Sequence, residues 1–220
     1  MKVSILYVVA NLDIGGAERH IAQILPKFDK SKINVSVFTL INKGALSESL
    51  EKKGIQVFGI NKNILWQQTN KFGRIHILLR GAIKLFFHLR REQPSVVHFY
   101  LPMPYIVGAI VALLARTPIL VMSRRSLNDY QKNYRGAAWI EQKLHDYMTY
   151  VIGNSRAVLN DLLLEGVPQK KLGLIYNGVE LPLINTLEQN EKLRKEFGVG
   201  HVGILITIVA NLIPYKGHAD

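Results

Sequence analysis

The stretch "VVANLDIGGAERHIAQIL", residues 8–25, decides the fold. An apolar run ends, two adjacent glycines follow, and helical spacing of apolar residues begins at once. Strand, glycine turn and helix in that order open a parallel α/β sheet. Glycine in such a turn lets a ligand approach the backbone, and the helix start behind it offers unpaired N–H groups to an anion. Gly15 and Gly16 are therefore either phosphate contacts or a tight turn with no ligand. Neither G-x-G-x-x-G nor G-x-x-x-x-G-K-[ST] occurs at this junction.

Working outward, the same alternation repeats. "VSILYVV", "INVSVFTLI", "IQVFGI", "SVVHF", "PILVMS" and "YVIGNS" read as strands, with helical patterns between them at 17–28, 45–54, 71–92, 105–116 and 137–148 and a further helix at 155–165. Strands apolar on both faces, separated by helices, predict a parallel sheet covered on both sides. Ser155 is placed to cap a helix that Gly166 and Pro168 end, and Thr186 with Gln189 spells a capping box closed by Gly198. Between those helices "YNGVELPLIN", residues 176–185, reads as a linker. A fresh strand, "GILITIVANL", follows and breaks off at "IPYKGHAD". The expectation is one domain over 1–180, then a linker and the first strand of a truncated second domain over 181–220.

The balance of 28 Lys and Arg against 16 Asp and Glu gives a net charge of +12, which favours anionic partners without choosing among them. The absence of cysteine excludes disulfides, thiolate metal sites and a cysteine nucleophile. The opening "MKVSILYVVA" leads into a polar glycine turn, not a small-residue cleavage site, so it reads as a buried strand. The apolar run "PYIVGAIVALLA" falls short of the roughly 20 residues that span a bilayer.

Three segments carry a family resemblance: "GGAER" in the first loop, "NSRAVLNDLLLEGVPQKKLGLIYNGVE" at 154–180 and "VANLIPYKGH" at 209–218. Together they resemble family 4 of the retaining glycosyltransferases, whose GT-B architecture sets two Rossmann-like domains across a cleft. The segment "FYLPMPYIVGAIVALLARTPILVMSRRSLNDYQ" looks like members that build bacterial surface polysaccharides on a lipid carrier. The resemblance implies a cytoplasmic transferase taking a sugar from a nucleotide-diphosphate donor to a lipid-linked or saccharide acceptor. It implies no cofactor, no metal and no nucleic-acid partner. The N-terminal domain would hold the acceptor, with Gly15 and Gly16 facing the donor diphosphate. Lys216 matches the lysine that binds donor phosphates from the second domain, and Asn211 stands where the family usually has arginine.

His98 ends the strand "SVVHF", in a context where the family commonly has histidine, often with a second two residues on. That second position is Tyr100 here, a hydrogen-bond donor but a poor base near neutral pH. These two are the catalytic-side candidates, and the plain alternative is a buried histidine satisfied by backbone. Arg124 and Arg125 follow the next strand, and their forked donors suit a phosphate or carboxylate of the acceptor. The alternative ties one of them to the helix around Glu141. Asn154, Ser155, Asn177 and Gly178 sit in two further loops at the same edge, where capping and turn formation explain most of their presence and the resemblance makes them cleft-lining.

"KFGRIHILLRGAIKLFFHLRR", residues 71–91, holds six Lys or Arg and no acid. At about 100° per residue, Leu78, Ala82, Leu85, Leu89, Ile75, Phe86 and Leu79 fall in one stripe suited to packing on the sheet. Arg80, Lys84 and Arg91 gather opposite, beside Phe87 and Ile77. That face is either merely solvated or meets an anionic membrane surface. Two rival classes remain: a Rossmann oxidoreductase, which needs the missing dinucleotide glycines, and a non-catalytic basic membrane- or nucleotide-binding Rossmann module.

Overall fold

The apolar run before the glycines forms β1 (Val3–Val9), and its alternation decides the layering. Leu6 and Val8 are buried on one side of it, Tyr7 and Val9 on the other. Both faces are apolar, so both must be covered. The remaining strands are β2 (Ile33–Thr39), β3 (Gln56–Gly59), β4 (Val96–Tyr100), β5 (Ile119–Arg124), β6 (Tyr150–Gly153) and β7 (Leu172–Leu174). All pair in parallel, in the order β3-β2-β1-β4-β5-β6-β7. The computed structural model describes residues 2–60, 66–128, 131, 134–181, 186–200, 204 and 206–208.

Seven α-helices are described: α1 (Gly16–Ile24), α2 (Leu46–Lys52), α3 (Lys71–Glu92), α4 (Pro102–Leu114), α5 (Arg135–His145), α6 (Arg156–Leu164) and α7 (Leu187–Glu196). Ile21 of α1 and Leu50 of α2 close the core on the Tyr7 side. Leu85 and Leu89 of α3, Tyr105, Ala109 and Ala112 of α4, Leu144 of α5, and Val158 and Leu162 of α6 close the other. The expected α/β fold with helices on both faces is the fold observed. The seventh strand was not anticipated; three residues with a central glycine carry too little pattern.

The chain divides into two compact units, Met1–Val179 and Glu180–Asp220. In the second, Thr186 Oγ1 accepts from Gln189 N at 3.2 Å while Thr186 N donates to Gln189 Oε1 at 2.9 Å, the reciprocal box read from the sequence. Gly198 follows α7 at φ +67°, a conformation glycine adopts without strain. Of the strand expected at 203–212, Ile204, Ile206, Thr207 and Ile208 are described; they join no strand, and the three isoleucines are 62–88% exposed.

The packing of α3 differs from the stripe expected. Asn70 caps it, accepting from Gly73 N at 2.8 Å. Its buried residues are Gly81, Leu85 and Leu89, with Ala82 and Phe86 partly buried beside them. A Cβ on Gly81 would lie 2.2 Å from the Leu40 carbonyl oxygen, so only glycine permits this crossing over the end of β2. Ile75 and Leu79, expected in the packed stripe, are 55% and 57% exposed instead. They join Phe72, Ile83 and Phe87 in a continuous exposed apolar arc, because α4 and the sheet cover a narrower sector than the helix makes apolar. Arg80, Lys84 and Arg91 lie exposed beside that arc, as the spacing predicts; Ile77 is half-buried. No described helix is long and apolar enough to cross a membrane.

Candidate active site

Ligands of open parallel sheets sit outside the carboxyl ends of the strands, where the strand order reverses. Here that point lies between β1 and β4, with Tyr7 in register with His98 and Tyr100 with Ser123. The loop after β1 is pinned by the buried Leu12, whose N–H donates to Lys43 O at 3.1 Å. It delivers Gly15 as the α1 N-cap with no side-chain cap, so the first helical N–H groups face the rim. Gly16 is exposed with nothing near its Cβ position. Beside Gly15 lies the Glu18 carboxylate, folded back onto its own backbone N–H. Burial raises the pKa of this acid, its backbone hydrogen bond opposes the rise, and Asp13 adds to it. A carboxylate is the group a helix N-terminus attracts, and an incoming phosphate would have to displace it.

His98 shares a hydrogen bond of 2.7 Å between its Nε2 and Ser123 Oγ, and its ring lies 4.6 Å from that of Tyr7. Burial, then the nearby Arg125 charge, pushes its pKa down to about 3. The imidazole therefore stays neutral at ordinary pH and is a weak base. It is satisfied by a hydroxyl, not by backbone. Tyr100 is 2% exposed, and burial raises its phenol above the ordinary range despite Arg125. Its O–H meets His20 Nδ1 at 2.8 Å.

The two adjacent arginines part company. Arg124 does not face an acceptor; it is fully buried and bound to the chain's own acids, which corrects the acceptor-binding expectation for this residue. Its Nη2 donates to Glu141 Oε1 at 2.6 Å and to Glu165 Oε2 at 2.8 Å, and its Nη1 donates to Glu165 Oε1. Gln131 donates to Glu141 Oε2 at 3.1 Å, and Tyr105 joins through His145. For Glu165, burial raises the pKa, but hydrogen bonds from His145, Arg124 and Gln131 prevail and hold it at about 2. Arg125, one residue on, is half-buried at the rim and has no carboxylate partner among the described residues. Its guanidinium stacks 4.8 Å over the Tyr100 ring, and its Nη2 donates to His20 Nδ1 at 2.8 Å. Burial lowers its pKa, and Tyr100 and Tyr7 partly offset that.

Asn154 steadies Arg125 by donating from Nδ2 to its carbonyl at 3.3 Å. Ser155 caps α6, accepting from Val158 N at 3.2 Å. Asn177 and Gly178 are exposed and form no turn; Gly178 lies nearest Ile24 in the last turn of α1, roughly 12 Å along the helix from Gly16. Lys216 lies outside the described residues. The structure thus gathers Gly15, Gly16, His98, Tyr100, Arg125 and Asn154 at one rim. It adds His20, which the sequence reading missed although it stands one turn after Gly16 on the same helix. No group of three His, Asp or Glu among the described residues could hold a metal ion.

The family model described as Glycosyltransferase Family 4 matches residues 14–182. Among solved structures, Anabaena Alr3699/HepE in complex with UDP-glucose matches with TM-score 0.66 at 21% identity, over 89% of this chain and 50% of that one. A glycosyltransferase from Rickettsia africae ESF-5 matches with TM-score 0.61 at 19% identity, over 91% and 51%. The lipopolysaccharide outer core galactosyltransferase WaaB, apo form, matches with TM-score 0.56 at 15% identity, over 84% and 48%. At these identities the likeness is one of fold, and the chain spans about half the length of the structures it matches. No curated protein matches it.

Proposed function

This chain belongs to Glycosyltransferase Family 4, and from that membership we propose that it forms the acceptor side of an enzyme moving a hexose from a nucleotide-diphosphate sugar to an acceptor. Transfer would proceed with retention, onto a lipid-linked or saccharide acceptor, in the assembly of a bacterial surface polysaccharide. The carrying observation is Arg125, a half-buried guanidinium with no acid beside it among the described residues, which follows β5 and reaches over Tyr100 at the end of β4 to His20 on α1. A cation so desolvated calls for an anionic ligand, and the phosphate of a lipid carrier supplies one. Gly15 and Gly16 would meet the donor diphosphate once Glu18 gives way, and the resemblance gives Lys216 a contact with the same phosphates. Developing charge on the leaving diphosphate is the main thing such a site must offset. His98, neutral and tied to Ser123, supports the floor and takes no proton; Tyr100 orients Arg125 and His20.

The work would be done at the cytoplasmic face of a membrane, held by the exposed arc of α3 and its basic flank. Five large apolar side chains on one helix, 48–83% exposed, support a bilayer partner. Residues 1–220 alone are expected to turn over little.

The test is turnover of the protein as the cell makes it, against a panel of nucleotide sugars with polyprenyl-phosphate and oligosaccharide acceptors. Transfer is expected with one donor, and Arg125→Ala should lower kcat/KM for a phosphorylated acceptor by about 10- to 100-fold. Absence of transfer across the panel, or an Arg125→Ala enzyme as active as the parent, refutes the reading.

A further inference from the structure

The Arg125 reading leaves His20 without a task. His20 is half-buried on α1, and its Nδ1 is 2.8 Å from both Arg125 Nη2 and the Tyr100 hydroxyl. A guanidinium can only donate, so Nδ1 must be the bare, accepting nitrogen and the proton must sit on Nε2. The other described contact of Nε2 is a long one, 3.5 Å from Arg125. In the unliganded protein the imidazole is thus neutral and acts as the sole described hydrogen-bond acceptor for Arg125 side-chain donors.

We propose that His20 and Arg125 together form a receptor for a doubly charged phosphate group, with Tyr100 as the brace that serves His20 in both its charge states. The proposal rests on Arg125 being the anion contact and adds a second cation to it. When a dianion draws the guanidinium away, Nδ1 loses the charged one of its two partners and can take a proton from solvent as the Tyr100 hydroxyl turns. A tyrosine hydroxyl donates to a bare Nδ1 and, by rotating, accepts from a protonated one. The charge on the site then rises from one to two, matching a phosphate monoester or terminal phosphate and exceeding what a carboxylate needs. Burial and the Arg125 charge both lower the pKa of free His20, and a bound dianion would restore it. The other groups around His20 are Tyr100 from β4 and Tyr7 behind it; Glu18, on the same helix as His20, acts electrostatically on Tyr100. Burial raises both phenols above the ordinary tyrosine range, and it raises the Glu18 carboxyl as well, so Glu18→Gln is the control for that group.

The experiment is calorimetric titration of the 220-residue chain with sulfate, which stays dianionic through the range, and with acetate as the singly charged control. Sulfate affinity should rise as pH falls from about 7.5 to about 5.5, by up to about tenfold per unit, with uptake of about one proton. In His20→Asn the slope and proton uptake should vanish while weak binding persists. In Tyr100→Phe the low-pH gain should shrink, and in Glu18→Gln the slope should remain. Acetate should bind weakly and without the slope. If sulfate binds through Arg125, as loss in Arg125→Ala would show, but without a pH slope, or if His20→Asn keeps the slope, the two-cation receptor is wrong and the Arg125 reading stands. If no anion binds the parent protein at all, both fall.

Discussion

At the scale of single residues, the instructive pair is Arg124 and Arg125. They are neighbours in sequence with opposite fates, because successive residues at a strand end point to opposite faces. Sequence placed both on the binding edge; which one turned inward depended on Glu141 and Glu165, 17 and 41 positions away. The tie to Glu141, weighed as the alternative, is realised for Arg124; Glu165 was not foreseen, because so distant a pairing leaves no local pattern. His20 was legible in principle, since a residue four after Gly16 must sit above it on the helix, and His98 was placed correctly but its partner, Ser123, was not foreseen. The buried cluster makes a prediction of its own. Arg124→Ala would strand two buried carboxylates and cost about 3–5 kcal/mol in urea unfolding. Glu165 is held low in the folded state, so its contribution is complete above the unfolded value of 4.5 and is lost as pH falls from there to about 2. Thermal unfolding followed across that window should show Tm falling in the parent and falling less in Glu165→Gln, which starts lower.

At the scale of elements, α3 is where periodicity alone misjudged the burial. It correctly marked a 22-residue helix and its basic face, but it cannot say how wide a sector the neighbours cover. Three sectors result: Gly81, Leu85 and Leu89 inward, Phe72 to Phe87 outward and apolar, Arg80, Lys84 and Arg91 outward and charged. Ile110 and Leu114 of α4, the helix packed beside it, are also 44% and 69% exposed. Sedimentation with vesicles containing anionic lipid should therefore pull down the protein and lose it at high salt. Arg80→Glu, Lys84→Glu and Arg91→Glu combined should release it, as should Phe72→Ser with Phe87→Ser. Undiminished sedimentation of either variant would exclude this face as the contact.

At the scale of the whole molecule, strand–helix alternation was enough to specify a doubly covered parallel sheet, and the glycine turn marked its working edge. The strand order was not legible, because alternation fixes which elements are strands but not which lie side by side. Every buried apolar residue described falls at or before Val167, so both cores are complete within the first unit. A chain ending at Val179 should then unfold in one cooperative step with a Tm within a few degrees of the 220-residue chain; loss of that transition would show that the later residues help to hold the core.

The direction of α3 has a practical outcome. This helix, about 33 Å long, crosses the carboxyl edge of the sheet at its midpoint, Gly81, so its first half projects about 15 Å beyond that edge and its second half runs back toward the start of β4. Laid flat on a leaflet, it would turn the rim that carries Arg125 sideways at the height of the lipid phosphates. A lipid-borne ligand of the kind proposed above would then reach that rim by diffusing in two dimensions, without ever leaving the sheet of lipid that carries it.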